Sequence, residues 1–552
     1  MSVEWTKQGS WWREGVIYQI YPRSFADANG DGIGDLRGIT GKLDYLSWLG
    51  VDAVWLNPIY PSPMADFGYD ITDHADVDPL FGDLSDFERL VAGAHQRGLK
   101  VILDFVPNHT SSEHPWFVES RSSRENGKRG WYYWRDLAPS GGPPNNWISP
   151  FGGSQWEFDE KTSQYYLHTF HASQPDLNWR NPEVEEAMFD AARFWFDRGV
   201  DGFRIDVANF VMKDPELRDN PTNPTAGTSS YKYLGFYDTQ LHLNDKGHED
   251  IHPLYRRFRR LLDSYGGADG SERIAMGEVH LFEWPDWIRH WAAYYGGKLD
   301  ELHLPLNFTL VGLPWDARRF RRAVDEVEDA LPTGAWPNLA LGSHDEPRIA
   351  TRVGEKQARI AMMLLLTLRG TPILYYGDEL GMENASIPPE KAQDPFGRHD
   401  PSLGRDPQRT PMRWDSSPNA GFCPEGTEPW LPLGDDSGKV NVALQREDPR
   451  SMLGLTWQLL ALRRDSPALR SGSYETIEDA PEGCLAYLRR RGSESALVAL
   501  NFGAAELSLR LPGKARGRVL VCTHPDRSDQ TEGGYLRLRG YEGCVVGLSG
   551  TR

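Results

Sequence analysis

Short runs of Val, Ile, Leu and aromatic residues alternate along most of the chain with longer stretches whose apolar positions recur at helical spacing. The runs are GVIYQIYP from Gly15, VDAVWLNP from Val51, LKVILDFVP from Leu99 and VDGFRIDV from Val200. RIAMGEV from Arg273, ELHLPLN from Glu301, PNLALGS from Pro337 and TPILYYGDE from Thr371 complete a set of eight. Strand followed by helix, repeated eight times, is the pattern of a parallel sheet closed into a (β/α)8 TIM barrel, so the predicted class is α/β. The spacing breaks between the third and fourth strands. There Pro107 to Gln174, rich in Trp, Tyr, Gly, Pro and Asn, replaces an ordinary connection and reads as an inserted small domain. Beyond Ser466 the helical pattern gives way to alternating strands such as GCLAYLRR, SALVALNF and GRVLVCT, predicting a C-terminal antiparallel β-domain. The expected organisation is a barrel over 1–106 and 175–465, an insert over 107–174 and a β-domain over 466–552. A long loop from Gly381 to Leu433, dense in Pro, Gly, Asp and Arg, has the length of a functional segment.

At 552 residues the chain exceeds what one core supports, in keeping with a large domain and smaller ones. Twenty Trp are many for such a chain. Sugar clefts use such rings, although most are expected in the core. Sixty basic against 79 acidic side chains leave −19, which repels phosphate backbones and anionic lipid and argues against nucleic acid as a partner. No apolar run reaches the ~20 residues of a membrane span, and the Met1 end lacks a basic start followed by an apolar stretch, so a cytoplasmic location without membrane association is expected. Cys423, Cys484, Cys522 and Cys544 show neither CxxC nor His-rich spacing and read as incidental reduced thiols.

Barrel enzymes carry their chemistry at the C-terminal strand ends. Here those ends hold Asp104 and His109, Arg204 and Asp206, Glu278, and His344 with Asp345. One acid after a strand can merely cap the next helix. Three converging on one rim with an arginine and two histidines form an active site. Cleaving a glycoside with retention needs a carboxylate nucleophile and a protonatable acid about 5–5.5 Å apart, with further negative charge for the oxocarbenium-like transition state. Arg204 and Asp206 share a face of the strand, so the guanidinium is expected to keep Asp206 ionised. Glu278 then needs a raised pKa, which the like charges of Asp206 and Asp345 could give.

With their neighbours these residues resemble the four signature blocks of the α-amylase family, glycoside hydrolase family 13: DFVPNH (Asp104 to His109), GFRIDV (Gly202 to Val207), GEV (Gly277 to Val279) and SHDEPR (Ser343 to Arg348). Ser343 is a departure, since many relatives carry Asn there. The resemblance covers essentially the whole chain and implies Asp206 as nucleophile, Glu278 as general acid/base and Asp345 as transition-state stabiliser. QPDLNW from Gln174, DFGYD from Asp66 and GRDPQRTPMRW from Gly404 resemble the oligo-1,6-glucosidase and α-glucosidase branch. Carried over by matching motif, Asp66 and Arg405 grip the far hydroxyls of the terminal glucose, Tyr69 stacks beneath it, His109 and His344 bind remaining hydroxyls, and Phe151 and Phe170 clamp it. The resemblance further implies that Val207, beside the nucleophile, accompanies cleavage of α-1,6 bonds, whereas Thr accompanies α-1,4 preference. An Asp and Arg fork closing one end of the pocket predicts exo action.

The run Asp27, Asn29, Asp31, Ile33, Asp35 sets oxygen ligands at alternate positions of a Gly-rich loop, a spacing that suits calcium or magnesium. Gly38 stands where an EF-hand has Glu, so this is no EF-hand, and a metal-free Asx turn is the alternative. The resemblance implies a structural ion. The expected activity is exo-acting, retaining hydrolysis of short α-glucosides by a monomer or small homo-oligomer. A sugar isomerase or transglycosylase is the alternative, and an inactive scaffold a further one, set against by the three acids.

Overall fold

All eight predicted runs form the strands of one parallel sheet in the computed structural model, which describes residues 10–226, 234–267, 271–399, 401–434, 436–512, 516–527, 531 and 534–549. The strands are Ile17–Ile20, Ala53–Leu56, Lys100–Phe105, Gly202–Ile205, Ile274–Glu278, Leu304–Leu306, Asn338–Ala340 and Thr371–Tyr375. Every pair within the sheet is parallel, and the eighth strand pairs with both the seventh and the first, giving a nearly closed barrel. Alternation divides each strand between two cores. Ile17, Trp55, Ile102, Met276, Leu304 and Ile373 fill the barrel, whereas Tyr18, Val54, Leu103, Phe203 and Leu374 face the helices. Arg204 follows outward-facing Phe203 and so points inward, where only pairing makes a buried charge tenable.

The connecting helices carry start signals that set their registers. Asp83 accepts from Asp86 N in a capping box that opens Leu84–Gln96, whose Phe87, Leu90, Val91 and Ala94 are buried against the sheet. Asn181 caps Pro182–Phe196, with Pro182 at the first helical position.

Within the stretch after the third strand, Trp134–Arg135, Gln164–Leu167 and Trp156–Asp159 form a three-stranded antiparallel sheet beside the barrel mouth. Beyond the barrel one helix was missed. Ser466 accepts from Leu469 N and Pro467 opens Pro467–Ser471, so regular strands begin only at Ser473. The sheet that follows has five antiparallel strands, in the order Ser473–Thr476, Cys484–Arg491, Glu494–Asn501, Gly543–Ser549 and Arg516–Cys522. Among the described residues no helix is long and apolar enough to cross a membrane.

Candidate active site

Arg204 organises the rim acids. Its Nη1 donates to Asp104 at 2.8 Å and to Asp206 at 2.7 Å, and its Nη2 donates to Glu278. Asp206 and Glu278 are thus held on neighbouring arms of one guanidinium, their nearest oxygens separated by its width and two hydrogen bonds. That arrangement suits direct attack by one carboxyl and proton transfer by the other. Beneath, Tyr69 Oη donates to Asp104 at 3.0 Å and meets His344 Nε2 at 2.8 Å, and the two rings stack at 6°.

The charge order differs from the expectation. Burial pushes Asp206 well above the usual carboxylate range, and the neighbouring Glu278 and Asp104 charges add to it against Arg204. Burial opposes the charge on Glu278 as well, but Arg204 and His280, whose Nε2 lies 2.6 Å from Glu278 Oε1, outweigh it and hold Glu278 at about 2. One guanidinium serves three carboxylates while His280 gives Glu278 a second partner, so the proton belongs on the Asp206 and Asp104 side. Asp345 is different: despite burial, His344, Arg405 and Arg409 hold it far below the ordinary range. Burial also lowers His344 to about 3 and His109 to about 4, so both rings are neutral.

Arg405 closes one end of the cavity. Its Nη2 donates to Asp66 at 2.9 Å and to Asp394 at 2.7 Å, and its Nη1 donates to Asp345 at 3.0 Å. Gln174 donates to Asp66 at 3.2 Å and lies 3.1 Å from His109 Nε2. The wall above is aromatic. Phe151 meets Phe170 edge-on and stacks on Phe396 with ring centres 3.9 Å apart. Together these groups bound a cavity of about 230 Å³, lined also by Val207 and, toward its other end, by Phe210, Tyr237, Lys246 and Phe282. Every residue expected at the substrate borders this space except Arg204, which lies beneath the acids. His280, Asp394, Phe396 and Arg409 were not anticipated. His280 shares the strand-end face of Glu278, a legible signal, whereas the others lie in the long loop after the eighth strand, where no periodicity marks them.

A family model of the α-amylase catalytic domain matches residues 19–472. The chain belongs to the α-amylase family. It is therefore a glycoside hydrolase, with the blocks of that family at its strand ends. Among α-amylase-family relatives, a probable α-glucosidase of Rhizobium meliloti is 43% identical over 91% of each chain. An oligo-1,6-glucosidase of Parageobacillus thermoglucosidasius is 36% identical over 97% of this chain and 98% of that one. A solved α-glucosyl transfer enzyme is 43% identical, superposes with a TM-score of 0.91 and covers 98% of this chain and 100% of its own.

The loop from Asp27 to Asp35 holds alternating oxygen donors, and its own backbone uses them. Asp27 accepts from Gly30 N at 2.6 Å and Gly32 N at 2.8 Å, Asp31 accepts from Ile33 N at 2.8 Å, and Asp35 accepts from Ala28 N at 2.9 Å and Asn29 N at 3.0 Å. Each carboxylate keeps further lone pairs and the donor set is all oxygen, the chemistry of a hard cation, although the Asp27, Asp31 and Asp35 oxygens do not cluster within ligating reach of one another.

Proposed function

We propose that this enzyme is a retaining, exo-acting α-glucosidase that releases glucose from the non-reducing end of short α-glucosides and accepts α-1,6 bonds alongside others. The observation that carries the reading is a cavity walled by the Asp66–Arg405 ion pair and lined by two carboxyls held on one guanidinium. A terminal glucose seats against that ion pair, where Asp66 and Arg405 offer an acceptor and a donor to its far hydroxyls. Asp206 attacks the anomeric carbon while Glu278 protonates the departing oxygen. Asp345, held ionised, offsets the developing positive charge. The proton held on the Asp206 side has first to pass to Glu278, which leaves Asp206 the carboxylate nucleophile and Glu278 the acid. A bound sugar excludes water and strengthens the burial that favours the neutral form of Glu278. Water entering from the aglycone side then gives its proton to Glu278 and releases glucose from Asp206.

Retention makes the first glucose released the α-anomer, observable by NMR on an α-glucoside; initial β-glucose would refute the assignment of Asp206. Asp206→Asn should lower release of nitrophenol from its α-glucoside by on the order of 10³-fold or more. A second reading is transfer to a sugar or alcohol acceptor, supported by the likeness to the α-glucosyl transfer enzyme. Counting glucose against transfer products from concentrated maltose separates the two.

The reading includes a structural calcium or magnesium ion held by Asp27, Asn29, Asp31, Asp35 and the Ile33 carbonyl, outside the chemistry. It also includes a cytoplasmic location, which cell fractionation tests.

A further inference from the structure

Two of the four cysteines are not incidental. Cys522 ends one strand of the C-terminal sheet and stands directly opposite Cys544 on its antiparallel neighbour. The next pair along the ladder is hydrogen-bonded, with Thr523 N donating to Gly543 O at 2.9 Å, so Cys522 and Cys544 occupy a non-hydrogen-bonded position, where side chains approach most closely. Their sulfurs are 3.4 Å apart. Cys544 is fully buried, whereas Cys522 reaches solvent.

The surroundings distinguish this pair from the other thiols. The Cys522 S–H donates to Glu542 Oε1 at 3.2 Å, and His524 N donates to the Cys522 sulfur at 3.4 Å. The Cys544 sulfur lies within hydrogen-bond reach of the Cys522 sulfur. Fully buried Glu542 is bound by Arg527 at 2.6 Å and by Arg539 at 2.9 Å, and Arg539 also pairs with Asp526 at 2.9 Å, so a balanced ionic cluster fixes the carboxylate beside Cys522. Cys423 and Cys484 have no such setting: Cys423 donates weakly to Thr427 O at 3.7 Å, and burial pushes the Cys484 thiol up to about 12.

We propose that Cys522 and Cys544 form a reversible disulfide with hydrogen peroxide as oxidant, Cys522 reacting first and Cys544 resolving. The Cys522 proton leaves through Glu542 to water, and the thiolate attacks one peroxide oxygen. The O–O bond breaks, giving a sulfenic acid and a hydroxide that is protonated to water. Cys544 then attacks the Cys522 sulfur, the S–S bond forms, the S–O bond breaks, and a second water leaves with the Cys544 proton. The two sulfurs supply the two electrons that reduce the peroxide. A dithiol restores the starting state. The same three side chains gather ligand atoms that could take a soft cation, but the Glu542 oxygens are already taken by Arg527 and Arg539.

The test uses the full-length protein, reduced and then exposed to hydrogen peroxide, quenched in acid, unfolded and alkylated. Before oxidation four cysteines should alkylate. Afterwards two should, mapping to Cys423 and Cys484, with the intact mass lower by about 2 Da before alkylation and restored by dithiothreitol. In Cys544→Ser, which lacks the resolving sulfur, dimedone should trap a sulfenic acid on Cys522. Four alkylated cysteines after peroxide, loss of label at Cys423 or Cys484 instead, or one zinc ion per chain protecting Cys522 and Cys544 would each overturn the proposal.

Discussion

Val207 sits one residue beyond Asp206 with φ at 38°, a left-handed conformation that a β-branched residue rarely adopts and that costs of the order of 1–3 kcal/mol. The sharp turn carries the chain away from the strand immediately after the nucleophile, and Val207 N donates to Glu278 Oε2 at 3.3 Å, so the strained residue also steadies the acid. Its side chain borders the cavity next to Asp206. Thr has the same branching and leaves the backbone strain as it is, so Val207→Thr isolates the exchange of a methyl for a hydroxyl. One such contact is worth about 1–3 kcal/mol of discrimination, and the variant should move the isomaltose to maltose ratio of kcat/KM toward maltose by about tenfold, with both still cleaved. An unchanged ratio would remove Val207 as a selector. Glu278→Gln cannot protonate the leaving oxygen. Its kcat/KM on isomaltose should fall by about 10²–10⁴, and far less on a nitrophenyl glucoside, whose leaving group needs no proton. Equal losses would assign Glu278 another task.

At the scale of elements, the barrel depends on polar groups that join strand starts as well as on apolar faces. Asp52, just before the second strand, accepts from Val16 N at 2.7 Å and so ties it to the first. Burial raises its pKa from 3.8 to about 6. A carboxyl with a raised folded value lends stability that is complete below its unfolded pKa and is lost as pH climbs through about 6. Asp52→Asn keeps an acceptor for Val16 N and removes the charge. The variant should therefore melt above the parent at pH 7.5, by a difference of at most about 3 kcal/mol that vanishes near pH 4. An equal loss at every pH would show that the carboxylate is needed as such. What the sequence made legible follows the same geometry. Strand alternation set Arg204 and Asp206 on one side, and the barrel rule brought Asp206, Glu278 and Asp345 to one rim. Asp394, Phe396 and Arg409 stayed hidden because their loop has no period to read, and only the fold brings it back over the mouth. The protonation order escaped too, because it turns on which oxygens Arg204 reaches and on His280 lying against Glu278.

Across the whole molecule, the loop from Asp27 to Asp35 and the loop that bears Arg405 brace each other. Asp27 N donates to Phe422 O at 2.9 Å, Trp430 N to Gly32 O at 2.9 Å, and Thr427 Oγ1 to Gly30 O at 3.2 Å. An ion bound only by the folded form would strengthen this brace. Chelation should lower the melting temperature by a few degrees and leave turnover at low temperature intact. Immediate loss of activity on adding chelator would place the metal in the reaction instead. The blind end formed by Asp66 and Arg405 has a consequence for traffic. Glucose cannot leave ahead of the chain it was cut from, so the shortened leaving portion must diffuse out of the mouth before the sugar behind it is free. An oligosaccharide therefore cannot be threaded through and trimmed in one encounter. Attack is distributive: each cut ends in full release, every intermediate length accumulates in turn, and free glucose competes with fresh substrate for the one door.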